Sequence, residues 1–376
     1  AAENAVNQIV YTLEPGLLRN GTNVLAVEVH QSSSGSGDMG IDVELTALKP
    51  AEPPTPVALT QTGTVSARIL SGGEWSALSE ASFVVGTSAS AANLAVSEIM
   101  YNPVGAREDS EYIEVMNISD RESIDLTNVH FDAGLSYEFP AGFSLAPLER
   151  AVIVKNQSVF AATYPTAGIT IAPGVFTGNL SNSGEEIAVK DGSGNDIRRF
   201  AYSDRNPWPE SPDGMGYALV LVSPSTNPDH SLPQNWRGSA SLGGSPGDTD
   251  AVTFIGDPDR DSDRDGRTAF FEHALARSDE NPADGSVFNI GFVIFDDRSG
   301  LGLQEFLELT FTRNLPADDA LIEAETSTDL VTWSPLEAVL TARINHGDGT
   351  ATDTYRSSAA IDSSRRKFLR LKVTRR

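Results

Sequence analysis

Short runs in which apolar and polar residues alternate with period two recur along the chain, each closed by glycine, proline or asparagine. Successive side chains of a strand point to opposite faces, so such runs form half-buried strands rather than amphipathic helices. Clear cases are Thr22-Asn23-Val24-Leu25-Ala26-Val27-Glu28-Val29, Leu94-Ala95-Val96-Ser97-Glu98-Ile99, Glu111-Tyr112-Ile113-Glu114-Val115-Met116-Asn117 and Leu307-Glu308-Leu309-Thr310-Phe311-Thr312. Further strands are expected at 124–131, 150–155, 186–190, 197–202 and 217–222, then at 324–327 and 368–373. The 32 glycines and 21 prolines supply the turns that short strands need.

A length of 376 residues exceeds one ordinary core, so several modules are expected. The proline-rich Pro50-Ala51-Glu52-Pro53-Pro54-Thr55-Pro56 reads as a stiff linker. A small-residue spacer, Gly86-Thr87-Ser88-Ala89-Ser90-Ala91, closes a stretch of three short strands within 60–85. The segments predicted are 1–49, 50–92, 93–248, 249–285 and 286–376. Strand count and spacing in 93–248 suit an immunoglobulin-like sandwich. The predicted fold class is therefore all-β, with β-sandwich modules in tandem and one short helix after an acidic loop.

That loop carries the sharpest chemical signal. Asp261-Ser262-Asp263-Arg264-Asp265-Gly266-Arg267-Thr268-Ala269-Phe270-Phe271-Glu272 matches the twelve-residue calcium-loop pattern at its diagnostic positions. Calcium takes six to eight hard oxygens. Asp261, Asp263 and Asp265 supply alternate carboxylates, Gly266 the sharp turn, Arg267 a backbone carbonyl and Glu272 a closing bidentate carboxylate; Ala269 leaves its place to water. Aspartates at 257, 259, 261, 263 and 265 would repel one another without a counter-ion, and Asp257 and Asp259 could serve a second one. Residues 268–277 should be helical, with Phe270, Phe271, Ala274 and Leu275 on one face, whereas Gly256-Asp257-Pro258 forbids a helix before the loop.

Other chemistries find little support. Lys and Arg number 27 against 52 Asp and Glu, and a net charge of -25 repels nucleic acid. No run is apolar for long enough to insert in a membrane. With no cysteine, thiol nucleophiles and thiolate metal sites are excluded. His30, His130, His230, His273 and His346 lack metal-ligand spacing, and there is no Gly-x-Ser-x-Gly elbow or phosphate-binding loop. Asp229-His230-Ser231 is contiguous, which is not how a triad converges. His30, inside an alternating strand, is read as structural.

Several blocks carry family resemblances. Ser97-Glu98-Ile99-Met100-Tyr101-Asn102-Pro103 and Glu111-Tyr112-Ile113-Glu114-Val115 resemble the opening of bacterial lamin-tail domains. Leu180-Ser181-Asn182-Ser183-Gly184-Glu185-Glu186-Ile187, Pro207-Trp208-Pro209, Asp213-Gly214, Asn235-Trp236-Arg237 and Gly244-Ser245-Pro246-Gly247 agree with that family. The acidic positions of this domain are expected at solvated edges. Residues 21–45 resemble the closing strands of a galactose-binding-like jelly roll, and 60–85 the end of a fibronectin-like or chitobiase-tail-like repeat. The acidic loop, with only an exiting helix, resembles thrombospondin type 3 or dockerin-like calcium repeats. Ser327-Thr328-Asp329-Leu330-Val331-Thr332-Trp333 with Lys367-Phe368-Leu369-Arg370-Leu371 resembles the terminal domain of exported proteins of the Verrucomicrobia and Planctomycetes type.

These resemblances imply a non-enzymatic, calcium-stabilised structural or adhesive array of an extracellular or cell-surface bacterial protein. Further modules and the export signal are expected upstream, and the partner would be a surface glycan or protein. The alternative is a carbohydrate-binding accessory region of a larger extracellular enzyme or spore-coat kinase-like protein. For that reading Trp75, Trp208 and Trp236 are the candidate sugar-stacking faces.

Overall fold

The computed structural model describes residues 63–83, 86–105, 107–285, 288–297, 300–361 and 366–376, with scattered positions between 10 and 26. The chain divides into two units, Ala1–Ala58 and Leu59–Arg376. In the first unit a single 3-10 turn, Pro15–Leu17, is described. Most of the jelly-roll-like strands after it, with His30 and the proline-rich linker, lie outside the described residues.

The second unit opens with a nested hairpin. Strand β1 (Gly63–Ala67) pairs antiparallel with β4 (Ser79–Phe83), and β2 (Leu70–Ser71) with β3 (Glu74–Trp75). Gly72 and Gly73, at φ of 61° and 89°, make the inner turn in a region that L side chains avoid. The described side chains of this ladder are exposed, so it holds no core of its own.

The next strands build the main sandwich. They are β5 (Thr87–Ser88), β6 (Leu94–Met100), β7 (Tyr112–Asn117), β8 (Ile124–Asp125), β9 (His130–Ala133), β10 (Tyr137–Glu138), β11 (Ser144–Leu145) and β12 (Arg150–Val154). After helix α1 (Gln157–Thr163) come β13 (Glu186–Lys190), β14 (Asp196–Ala201), β15 (Leu219–Leu221) and β16 (Trp236–Gly238). One sheet runs β12-β7-β6-β15-β16 and a second runs β10-β9-β13-β14. A third, β11-β8-β5, has β5 parallel to β8. Ile99, Ile113, Val115, Ile153, Leu219 and Leu221 of the five-stranded sheet share one core with Ile124, Phe131, Ile187, Val189 and Phe200 of the others.

The five-stranded sheet is buried on its other face too. There Met100, Tyr112, Val152, Val154, Ala218 and Val220 pack with Phe160 of α1. Sequence reading expects one helix in the chain; α1 is a second. Asn156 caps it by accepting from the Ser158 and Val159 N–H groups at 3.0 and 3.2 Å. Tyr164 ends it in an extended conformation, as the following Pro165 requires. Seven residues are too few for helical periodicity to stand out beside the strand signal.

Helix α2 (Ala269–Ala274) precedes the terminal strands β17 (Phe288–Asp296), β18 (Leu303–Asn314), β19 (Ala320–Ser327), β20 (Ala338–Asn345), β21 (Thr350–Ser357) and β22 (Phe368–Arg375). They form a four-stranded sheet, β17-β18-β21-β20, and a two-stranded one, β19-β22. Phe270, Ala274 and Leu275 of the helical segment join Leu307, Leu309, Phe311, Ile322, Ala324 and Leu369 in the terminal core, with half-buried Phe271 against it. This is the packing that the apolar spacing of the segment predicts. On β17 the face Phe288, Ile290, Phe292 and Ile294 stays exposed, although it continues the core face of β18 across the register Phe288↔Phe311, Ile290↔Leu309 and Phe292↔Leu307.

The main sandwich and the terminal strands touch directly. Arg237 of β16, with no exposed surface, bridges Asp250 at 2.5 Å and Asp318 at 2.7 Å. Asn345 Nδ2 donates to the Ser239 carbonyl, and Ser223 Oγ to that of Asp318.

Candidate metal centre

The acidic loop is wound by its own aspartates. Asp261 Oδ1 accepts from Arg264 N–H at 2.8 Å and its Oδ2 from Gly266 N–H at 3.1 Å. Asp263 Oδ1 accepts from Asp265 N–H, and Asp265 Oδ1 from Arg267 N–H. Arg264 and Gly266 take positive φ of 65° and 89° to close the coil. Ser262 N–H donates to Asp279 Oδ1, which fastens the loop to the segment beyond the helix. Thr268 then caps α2 by accepting from Phe271 N–H, so Glu272 sits inside the helix and not ahead of it.

Two overlapping carboxylate groups result. Ligand atoms of Asp261, Asp263 and Asp265 lie within 4.8 Å of one another, and so do those of Asp265, Glu272 and Asp284. Four of the sequence-predicted metal residues are thus brought together, with Asp265 shared. Besides its N–H bond to Asp265, Arg267 places its side chain among the carboxylates: Nη1 lies 2.7 Å from Asp265 Oδ2 and 3.6 Å from Asp284 Oδ1. Asp257 and Asp259 are exposed and stand outside both groups. Asp284, twelve residues beyond Glu272, is a member that the linear loop pattern cannot show.

Glu272 is the unusual side chain. It is fully buried, and neither Oε1 nor Oε2 has a hydrogen-bond partner; Asp263 Oδ2 and Asp284 Oδ1 are likewise buried without one. Burial first, then the charges of Asp263, Asp265, Asp284 and Asp279, push the Glu272 carboxyl up to about 7. An unpaired buried carboxylate costs several kcal/mol, so this arrangement needs either protons or a cation. The donor set is all oxygen and anionic, which suits a hard divalent ion.

A second polar cluster lies within the main sandwich, where sequence reading placed acidic residues at solvated edges. Glu98 and Glu114 are instead buried, with 1% and 0% of their surface exposed. Glu98 Oε1 accepts from Tyr112 Oη at 2.6 Å and from Ser245 N–H at 2.9 Å, and its Oε2 lies 3.0 Å from Ser245 Oγ. Glu114 accepts from Ser97 Oγ, Arg150 Nη1 and Gly247 N–H, each at 2.6 Å. Both face the layer that the alternation left unassigned, because the covering loop 243–247 comes from far along the chain. Burial, then Glu114, pushes the Glu98 carboxyl up to about 8. Every carboxylate oxygen here has a partner, so the pair works as a clamp on the Gly244-Ser245-Pro246-Gly247 turn.

The contiguous Asp229-His230-Ser231 is also structural. His230 Nε2 accepts from Val96 N–H at 3.2 Å, beside a bulge in β6, and Nδ1 lies 3.0 Å from the Pro228 carbonyl. Of the three candidate sugar-stacking tryptophans, two are buried. Trp236 is 1% exposed, donates to the His230 carbonyl and stacks on Phe200; Trp208 is 9% exposed beside it. Their faces are spent on core packing, whereas Trp75 is 62% exposed.

Residues 87–204 match the family model of the Lamin Tail Domain, so the chain contains a lamin-tail segment. The match ends before β15 and β16, which complete the five-stranded sheet. No curated protein and no solved structure matches the chain.

Proposed function

We propose that this chain is a non-enzymatic structural and adhesive array of a secreted or cell-surface bacterial protein, and that one calcium ion stabilises it. The observation that carries the reading is Glu272: a fully buried carboxylate, without a hydrogen-bond partner, among the aspartates of a loop with calcium-ligand spacing. Asp261, Asp263, Asp265, the Arg267 carbonyl and Glu272 hold the ion. Lamin-tail sandwiches suit a scaffolding role, and the buried acid pair and His230 are engaged in fold contacts. Calcium steadies α2 and its seat in the terminal core, while the angle between the sandwiches rests also on the Arg237 bridge.

Calorimetry with calcium chloride tests this. One ion should bind with a dissociation constant of about 10⁻⁶ to 10⁻⁴ M, and Asp265→Ala and Glu272→Gln should each weaken it at least tenfold. Absence of calcium heat, or parental affinity in both variants, overturns the assignment. At a hundredfold excess over the dissociation constant the ion adds roughly 2.7 kcal/mol of stability. Chelation should then open the segment around 257–280 to protease before the lamin-tail segment is cut.

Exposed Trp75 on its hairpin favours a second reading, a carbohydrate-binding accessory region. Glycan binding that Trp75→Ala removes, with the fold intact, would support it; binding unchanged by that substitution would remove Trp75 from it.

A further inference from the structure

We infer that Asp284 is a direct ligand of the calcium ion, so that the centre ties three segments together: the loop at 261–267, helix α2 through Glu272, and the turn at 278–285. The inference rests on the calcium reading and extends it beyond the twelve-residue loop. Asp284 is one of three residues whose ligand atoms lie within 4.8 Å of one another, with Asp265 and Glu272. Its side chain is only 11% exposed. Its two oxygens are used unequally. Oδ2 accepts from Ser278 N–H at 3.0 Å, which fixes the carboxylate, and buried Oδ1 has no hydrogen-bond partner. Backbone contacts hold the turn in place, since Arg277 Nη1 donates to the Asp284 carbonyl and Asp284 N–H to that of Asn281.

The independent observation is Glu272. It contributes two unpartnered oxygens from a fully buried side chain, and Asp263 contributes a third. The counter-charge described among these carboxylates is the Arg267 guanidinium, whose Nη1 is shared between Asp265 and Asp284. Even with the Arg277 guanidinium, which donates to the Asp284 carbonyl, two cations against five carboxylates leave an excess of negative charge, which a divalent ion would reduce. The three loop aspartates, the Arg267 carbonyl and a bidentate Glu272 would give six oxygens, the lower end of calcium's six to eight, and Ala269 at position nine of the loop offers no side-chain ligand. Asp284 adds a further oxygen from outside the loop. Asp279, whose charge also faces Glu272, is different: both its oxygens bond Ser262, so it acts on the ion only through its charge.

Calorimetry of the whole chain with calcium chloride, comparing Asp284→Asn with Asp279→Asn, tests the inference. Asp284→Asn should lower the affinity at least tenfold with one site retained, and Asp279→Asn less than threefold. Parental affinity in Asp284→Asn, or an equal loss in both variants, overturns the Asp284 assignment while leaving the calcium reading in place. No calcium heat in the parent overturns both. Hydrogen exchange on the unsubstituted chain is a second measurement that needs no variant to fold. Calcium should protect the amides of 278–285 as well as those of 261–267; protection confined to 261–267 counts against Asp284.

Discussion

Glu98 and His230 are buried titratable groups of the same sandwich, and they tilt its stability in opposite directions. Glu98 has its carboxyl raised from 4.5 to about 8, so its stabilisation is complete below 4.5 and is lost as pH rises through 8. Between pH 6.5 and 8 one proton of linkage amounts to about 2 kcal/mol. Glu98→Gln keeps an acceptor for Tyr112 and offers a donor to Ser245 Oγ, so it mimics the protonated acid. Its thermal midpoint should stay level across that window, where the parent's falls; parallel curves would refute the argument. Burial, then Arg198, pulls His230 down to about 4, and a second proton on Nε2 would face the Val96 N–H. Its contribution is present above 6.5 and lost as pH falls through 4, a swing of about 3 kcal/mol. An imidazole NMR titration with a midpoint near 6.5 would contradict this. Gly244 has φ +79°, and a Cβ there would overlap Glu98 Oε1 and the Tyr112 hydroxyl. Gly244→Ala should therefore cost roughly 2–4 kcal/mol in urea unfolding. None of these three roles was legible beforehand, because each depends on a loop that folds back across more than a hundred residues. That the loop aspartates and Glu272 come together was legible, since their spacing is local; the approach of Asp284 was not, because it lies past the end of the helix.

At the scale of elements, two phenylalanines of the terminal domain should respond very differently to truncation. Phe270, 6% exposed and edge-on to Phe254, anchors α2 in the terminal core, and Phe270→Ala should cost about 3–4 kcal/mol. Phe292, 67% exposed on β17, should change stability by less than about 0.5 kcal/mol when truncated. Urea midpoints of the two variants decide, and equal losses would mean that the β17 face is covered in solution. Strands with strict alternation were readable, as at Tyr112–Asn117 and Leu303–Asn314. Two-residue strands such as Tyr137–Glu138 and Ser144–Leu145 are too short to show a period, and α1 is recognised only through its Asn156 cap.

At the scale of the whole molecule, Arg237 decides how the sandwiches cohere. Coulombic pairing with Asp318 and hydrogen bonds to Asp250 outweigh the desolvation of a guanidinium with no exposed surface. Arg237→Ala leaves two buried carboxylates facing each other and should cost about 3–5 kcal/mol. Calorimetric unfolding should then split into two transitions where the parent shows one; a single transition at the parental midpoint would defeat this. Arg237 lies in β16, Asp250 in the connecting segment and Asp318 among the terminal strands, and all three lie past residue 204, where the family match stops. The stretch that matches the family model is therefore not the stretch that folds as one. A recombination that carried 87–204 into another protein would transfer three of the five strands of its main sheet, leaving the recipient to supply the missing edge.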